Sequence, residues 1–335
     1  MTGVQTLTVA TDDVDIRLDK WFKRHFPALG HGPLEKMLRT GQVRVDGRKA
    51  KAGQRLDQGQ SIRVPPIDEA ATVRSRVRAE PPARRRGDEE LAEQLSSLIL
   101  YMDDEVLAID KPPGLPVQGG TGSPRHVDGA LDGLCFEMAK RPKLVHRLDK
   151  DTSGVLLLAR TVQAARWLTE AFRHRSARKT YWAAVVGQPR FSKGTIDLPI
   201  AKLPGRAGEK MTVDREQGQR ATTDYVVVEQ LGSRTAWVAL RPRTGRTHQI
   251  RVHMAALGQP VLGDGKYGGE RAFLEAVGLS RKLHLHARSI AIKRPNGSWL
   301  EVEAPLPEHM ARTWSFLGFD MESAANPFLD EEGDP

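Results

Sequence analysis

From residue 98 to 319, strand-like apolar runs outnumber helical stripes, and the two kinds do not take turns along the chain. The strand-like runs fall at 106–109, 156–159, 181–186, 225–228, 236–240 and 283–292. Helical spacing is confined to two places. One holds Ala164, Ala165, Leu168, Ala171 and Phe172, with Thr161 placed to cap it. The other holds Ile250, Met254 and Leu257, ended by Gly258. A doubly wound parallel sheet needs a helix between successive strands, so this order argues against one. The expected class is α+β, with a large mixed, mostly antiparallel sheet.

Ahead of that unit lies a smaller one, expected over 13–65. Leu18, Trp21 and Phe22 recur at helical spacing, and Leu34, Met37 and Leu38 give a second short stripe ended by Gly41. Val43-Arg44-Val45 alternates as a strand does, Asp46-Gly47 is a hairpin turn signal, and 59–64 closes the unit as another strand. This window carries 12 Lys/Arg against 6 Asp/Glu. Cations interleaved on helix faces suit phosphate contact, although an ordinary solvated face has the same composition. Residues 66–93 hold Pro66, the pair Pro81-Pro82, the arginines 84–86 and an acidic run without apolar periodicity, so a linker is expected there. The larger unit is expected over 94–320, followed by a disordered acidic tail at 321–335.

The whole chain of 335 residues has a formal charge of +9, which favours a polyanionic partner. Its single cysteine, Cys135, rules out an internal disulfide framework and any cysteine-rich zinc site. The first residues lack the cationic lead and apolar core of a secretory signal, and no apolar run approaches the roughly 18 residues of a membrane span. A cytoplasmic protein with no membrane partner is therefore expected. No signal for a metal or a cofactor stands up. Gly263 to Gly268 formally fits GxGxxG, but no long strand precedes it and position 288 is an arginine. His248, His253, His284 and His286 lack a supporting ligand framework and read as hydrogen-bonded or RNA-facing.

The strongest chemical signal is HRLDKDTSG at 146–154, where Asp149 sits among Arg147, Lys150 and a second carboxylate, Asp151. A carboxylate crowded by cations is expected to stay ionised, which suits a nucleophile or an electrostatic partner. Spacing does not choose between Asp149 and Asp151. A glycosidase pair is awkward, because two carboxylates two residues apart on one segment do not readily flank a substrate. On the strand that follows, Tyr181 and Trp182 take opposite faces, so one aromatic goes to the core while the other is free for a cleft. In 241–254, Arg251 sits one residue past an apolar helical position, where a planar guanidinium can meet a buried carboxylate. The arginines of that segment suit an RNA-facing stripe equally well.

Together, HRLDKDTSG, KTYWAAVVG at 179–187 and GRTHQIRVHM at 245–254 resemble the RluA-type pseudouridine synthases. Pro260-Val261-Leu262-Gly263-Asp264 and Leu283-His284-Leu285-His286-Ala287 add to the likeness, which spans roughly 98–310. Residues 17–20, 41–47 and 59–64 resemble the S-four-type (alpha-L) RNA-binding domain. The resemblance implies a cofactor-free isomerase that turns uridine into pseudouridine in RNA. It implies Asp149 as the catalytic aspartate, Tyr181 as the active-site tyrosine and Arg251 as the partner of the aspartate. Arg147 is implied to fill the helix gap left by an extruded nucleotide. Arg246, with Lys20, Arg39 and Arg44 of the smaller unit, is expected to contact RNA, as is the basic loop between Ala201 and Ala221. The stretch 117–122 is closer to a branch of the family that acts on 23S ribosomal RNA. Large-subunit ribosomal RNA is therefore the expected partner of a monomer, with transfer RNA or a non-catalytic assembly role as alternatives. Whether Asp149 attacks ribose carbon 1, removes a ribose proton or attacks the uracil ring is left open.

Overall fold

The computed structural model describes all residues except 1, 2, 28, 68–85, 120–124, 204–209, 276–278, 322–326 and 329–335. Arg84 and Arg85 of the expected linker, and Arg206 of the basic loop, lie outside the described residues. Two compact units divide the chain at Arg85/Arg86.

In the smaller unit, helices α1 (Leu18–His25) and α2 (His31–Arg39) pack on a four-stranded sheet. Its strands are β1 (Gln5–Thr8), β2 (Arg44–Val45), β3 (Arg48–Lys49) and β4 (Ser61–Val64), in the order β1-β4-β2-β3. Leu18, Trp21, Phe22, Leu34, Leu38, Val43, Val45 and Ile62 make one buried cluster. The turn between β2 and β3 has Asp46 and Gly47 both at positive φ, 47° and 74°, which is the conformation the dipeptide signals. Strand β1 lies outside the expected boundary at residue 13. It pairs antiparallel with β4 through Gln5↔Val64 to Thr8↔Ser61. With Leu7 its only large apolar side chain, this short edge strand carries almost no periodic signal.

The larger unit is built on a ten-stranded sheet. The chain enters through α3 (Arg86–Ser96), β5 (Ile99–Met102) and β6 (Val106–Lys111). After α4 (Val127–Ala130) and the short β7 (Lys143–Leu144) come β8 (Ser153–Ala159), α5 (Val162–Arg173) and β9 (Arg178–Val186). Strands β10 (Lys193–Asp197), β11 (Ile200–Lys202), β12 (Met211–Val213), β13 (Thr222–Leu231) and β14 (Thr235–Pro242) follow. The chain ends with α6 (Gln249–Ala256), α7 (Gly265–Gly268), β15 (Leu285–Lys293), β16 (Trp299–Glu303) and α8 (Glu308–Leu317). The sheet order is β10-β13-β14-β9-β15-β8-β6-β5, with β16 on β15 and β7 on β8, and β11 pairs with β12 apart from it. Among the described residues only β15 and β8 run parallel, so the sheet is mixed and mostly antiparallel, as the pattern of runs predicts.

Two further boundaries differ from expectation. Helix α3 begins inside the stretch read as linker; Leu91, Ala92 and Leu95 are buried against Leu131 and Leu134. So few apolar positions, beside an arginine triplet and an acidic run, hide the helical period. Within the tail read as disordered, Phe328 is buried in the cluster of Trp182, Trp237 and Trp314, and the Arg241 guanidinium lies 4.3 Å from its ring centroid. A fully buried Phe side chain is worth about 1.5–3 kcal/mol; of the expected tail, 322–326 and 329–335 lie outside the described residues.

A candidate active site at the parallel junction of the sheet

Strand β15 brings the motifs together. Its Ala287 is in register with Tyr181 on β9 and with Gly154 on β8. Gly154 has φ 105°, and a Cβ there would come within 2.2 Å of the Ala287 carbonyl oxygen. Only glycine allows that approach, which explains the last residue of HRLDKDTSG and sets the aspartate turn beside Tyr181. Next to it, the Ser153 hydroxyl meets His286 Nδ1 at 2.9 Å, and His286 Nε2 donates to the Ala304 carbonyl at 3.2 Å.

The turn itself is held from below. Lys111 ends β6 with no solvent exposure, and its ammonium donates to the carbonyls of Pro112, Leu115 and Lys150 at 2.8, 2.9 and 3.0 Å. An ammonium has three protons and no acceptor, so these carbonyls satisfy it completely. Burial pushes its pKa down to about 7, against the pull of Asp151 and Asp149. The sequence shows this lysine only as the break in an apolar run. Its use as a peg beneath the aspartate turn carries no local signal.

Asp149 opens into a cavity of about 630 Å³, lined also by Arg147, Arg173, Arg175, Lys179, Tyr181, Arg243, Arg246, His248 and Arg251. It is the one carboxylate among the lining residues. Burial pushes the Asp149 carboxyl up, while Arg251, Arg147, Lys111 and Lys266 pull it down; the net direction is upward. The sequence shows the cations that favour ionisation but not the burial that opposes them. The carboxylate has traded water for low-dielectric surroundings, and four nearby cations do not fully replace that hydration. A carboxylate of raised basicity is a better nucleophile and a better base.

Tyr181 lines the cavity while Trp182 packs edge-on against Trp237, with ring centroids 4.7 Å apart. The division of these two aromatics between cleft and core is the one read from strand alternation. Burial and the neighbouring Asp149 charge both push the Tyr181 phenol up, so it stays protonated at neutral pH.

Arg251 corrects an expectation. Its hydrogen bonds go to Asp264, Nε to Oδ2 at 2.8 Å and Nη2 to Oδ1 at 2.6 Å. Both side chains are almost wholly buried, at 7% and 1% exposure, and Arg251 reaches Asp149 only through its field. Asp264 also accepts from the Tyr267 N–H at the start of α7. The apparent GxGxxG is therefore a clamp for an arginine rather than a phosphate loop. Two more residues lie close to the site without having been anticipated there. His248 Nε2 stands 4.0 Å from Asp149 Oδ1, and its Nδ1 lies 2.6 Å from the Tyr267 hydroxyl. That hydroxyl also accepts the Met211 N–H at 3.1 Å, which ties the His248 ring to β12. Gln249, also buried, fixes the loop 244–246 by accepting from the Thr244 hydroxyl and the Arg246 N–H, and donates to Thr222 and Thr223.

Of the other expected RNA contacts, Arg147 is exposed at the cavity and Arg246 lines it, donating to the Arg220 carbonyl. Lys20, Arg39 and Arg44 belong to the smaller unit and are not part of this cavity. Arg44 braces its own hairpin through the Gly41 and Gly47 carbonyls and lies across the strands from Lys49 and Arg63, in an exposed row of cations. Like charges directly opposite one another destabilise a sheet unless an anion meets them.

Among the described residues, a carboxylate of raised basicity, an aromatic ring and several cations thus line one cavity. Residues 105–256 match the family model described as RNA pseudouridylate synthase, a span that contains Asp149, Tyr181 and Arg251. Ribosomal large subunit pseudouridine synthase C of Rickettsia typhi is 35% identical over 306 residues, covering 89% of this chain and 96% of that protein. The Salmonella typhi protein of the same name is 33% identical over 319 residues, covering 94% and 97%. Among solved structures, human RNA Pseudouridylate Synthase Domain Containing 4 aligns with a TM-score of 0.60 at 32% identity, covering 70% of this chain and 98% of that one. The chain belongs to the RluA-type family of RNA pseudouridine synthases, isomerases that convert uridine to pseudouridine.

Proposed function

We propose that this enzyme isomerises uridines of large-subunit ribosomal RNA, with Asp149 as the reacting carboxylate. The reaction breaks the bond from ribose carbon 1 to uracil nitrogen 1, turns the base, and joins carbon 1 to uracil carbon 5. The proton lost from carbon 5 is balanced by one gained at nitrogen 1, so no external reductant or energy source enters. The reading rests on one observation: among the described residues, Asp149 is the sole acid lining a cation-walled cavity that Tyr181 also lines. A uridine must leave its stack to reach it, at a cost of a few kcal/mol. Stacking on the Tyr181 ring offsets about 1–3 kcal/mol of that. In this reading Arg147, exposed at the same cavity, fills the space the base leaves behind. Arg251, locked by Asp264, gives a fixed positive field that favours the ionised carboxylate against its burial.

The choice of ribosomal RNA is supported by the names of the relatives that align over most of the chain. The smaller unit, with its exposed cations Lys20, Arg39 and Arg44, adds affinity without sequence reading. The test is a map of pseudouridines in ribosomal RNA from a strain lacking this chain. Specific 23S positions are expected to revert to uridine and to be restored by the wild-type chain but not by Asp149→Asn. An unchanged 23S map, with losses confined to transfer RNA, would replace the substrate while keeping the chemistry.

A further inference from the structure

One part of the cavity is not used by the reacting groups. Helix α5 ends in a Schellman-type turn, with the Ser176 N–H donating to the Ala171 carbonyl at 3.0 Å. The residue in the left-handed position of that turn is Arg175, at φ 61°. Glycine is the low-cost residue there, because a Cβ clashes in this conformation. An arginine at the position is therefore a local expense in backbone energy, and its side chain lines the cavity. Lys179 lines the same wall, two residues before Tyr181 on the same face of β9. Two residues along a strand is roughly 6.5–7 Å.

These two cations repel each other. Burial and the nearby Arg175 push Lys179 down to about 8. Among the described residues neither has an ion pair or a side-chain hydrogen bond. Arg251 has Asp264, Arg243 has Asp224 and Arg141 has Asp128. A strained, exposed arginine and a half-buried lysine, crowded together without a counter-charge at the mouth of a cavity, are complementary to a dianion or a chain of monoanions.

We propose that Arg175 and Lys179 form a phosphate-binding subsite, which holds the backbone phosphate next to the everted uridine while Tyr181 holds its base. The proposal deepens the function argued above and rests on it. Its consequence is a division of labour along one strand: Lys179 fixes the backbone and Tyr181, one side chain further on the same face, takes the base. The subsite recognises any sequence, since phosphate carries no base identity.

The test uses the full-length enzyme and a tritiated 23S transcript in which wild-type turnover has first been established, so that loss of the functional reading shows before any variant is compared. Arg175→Gly, Arg175→Lys and Lys179→Gln are measured for KM, kcat, thermal midpoint and the salt dependence of RNA affinity. For Arg175→Gly and Lys179→Gln, KM is expected to rise about tenfold with kcat within twofold. Each is also expected to reduce the slope of log affinity against log salt by about 1. Arg175→Gly is expected to keep or raise the thermal midpoint, because it relieves the left-handed position, whereas Arg175→Lys keeps most of the affinity. Unchanged KM and salt slope in Arg175→Gly and Lys179→Gln overturn the proposal. So does an Arg175→Gly variant whose only change is a lower thermal midpoint, since that assigns the arginine to the turn alone.

Discussion

The most exacting consequence of the structure concerns Asp264, a residue that does not touch the reacting base. Replacing it by asparagine removes the charge that meets the Arg251 guanidinium but keeps its size. Both partners are almost fully buried and joined by hydrogen bonds of 2.6 and 2.8 Å, so the arginine is left as an uncompensated buried cation. Breaking one side of such a pair costs about 3–5 kcal/mol. For a folded unit of this size, 1 kcal/mol moves the thermal midpoint by about 2–4 °C, so Asp264→Asn is expected to lower it by roughly 6–20 °C. Activity is expected to fall as well, because Arg251 no longer presents a fixed field to Asp149. A second variant separates the two effects. Arg251→Met with Asp264→Leu replaces the pair by apolar groups of similar volume, a change that is often neutral or stabilising in comparable buried pairs. Calorimetry and release of tritium from carbon-5-labelled RNA are the assays. The double variant is expected to be folded and inactive. Refolded stability accompanied by wild-type turnover would refute the reasoning, because the guanidinium would then be structural only.

The other expectations follow from the same geometry. Asp149 has its native pKa above the unfolded value, so ionising it costs stability that is absent below roughly pH 3.9 and fully felt above the native pKa. Asp149→Asn is therefore expected to be at least as stable as wild type at pH 7, with the difference fading toward pH 4 in a series of thermal melts. Lys111→Met strips the ammonium from the Pro112 and Leu115 carbonyls and leaves the Lys150 carbonyl with the Gly114 N–H alone, at a cost of about 1–3 kcal/mol in urea unfolding, with turnover lost as the aspartate turn shifts. Tyr267→Phe removes the hydrogen bond that holds the His248 ring at Nδ1. In steady-state kinetics kcat is expected to fall about tenfold with KM within twofold, and the pH profile to move; a KM effect alone would place His248 in RNA binding instead.

Much of this arrangement is visible in the chain before folding. The absence of strand–helix alternation foretells the mixed sheet, and the opposite faces of Tyr181 and Trp182 follow from strand geometry. Asp46-Gly47 and Thr161 act as their local chemistry requires. Partnerships over long sequence distances are a different matter. Nothing near Arg251 says that its carboxylate is Asp264 rather than Asp149, because the choice is made where α6 meets the loop after Gly263. Lys111 looks like a strand break until its carbonyl partners from two segments are assembled around it. The basicity of Asp149 is invisible for the same reason. Sequence shows the cations beside it but not how much water the fold removes, and here the lost water outweighs them.

The central claim is that the carboxylate at position 149 performs the isomerisation, and tritium release from [5-³H]uridine-labelled 23S RNA tests it most directly. With equal amounts of folded wild-type enzyme and Asp149→Asn bound to the same transcript, the wild type is expected to release label to completion at its target uridines. The variant is expected to retain RNA affinity, which many basic side chains share, and to release none above background. Release by the variant at the wild-type rate would contradict the account.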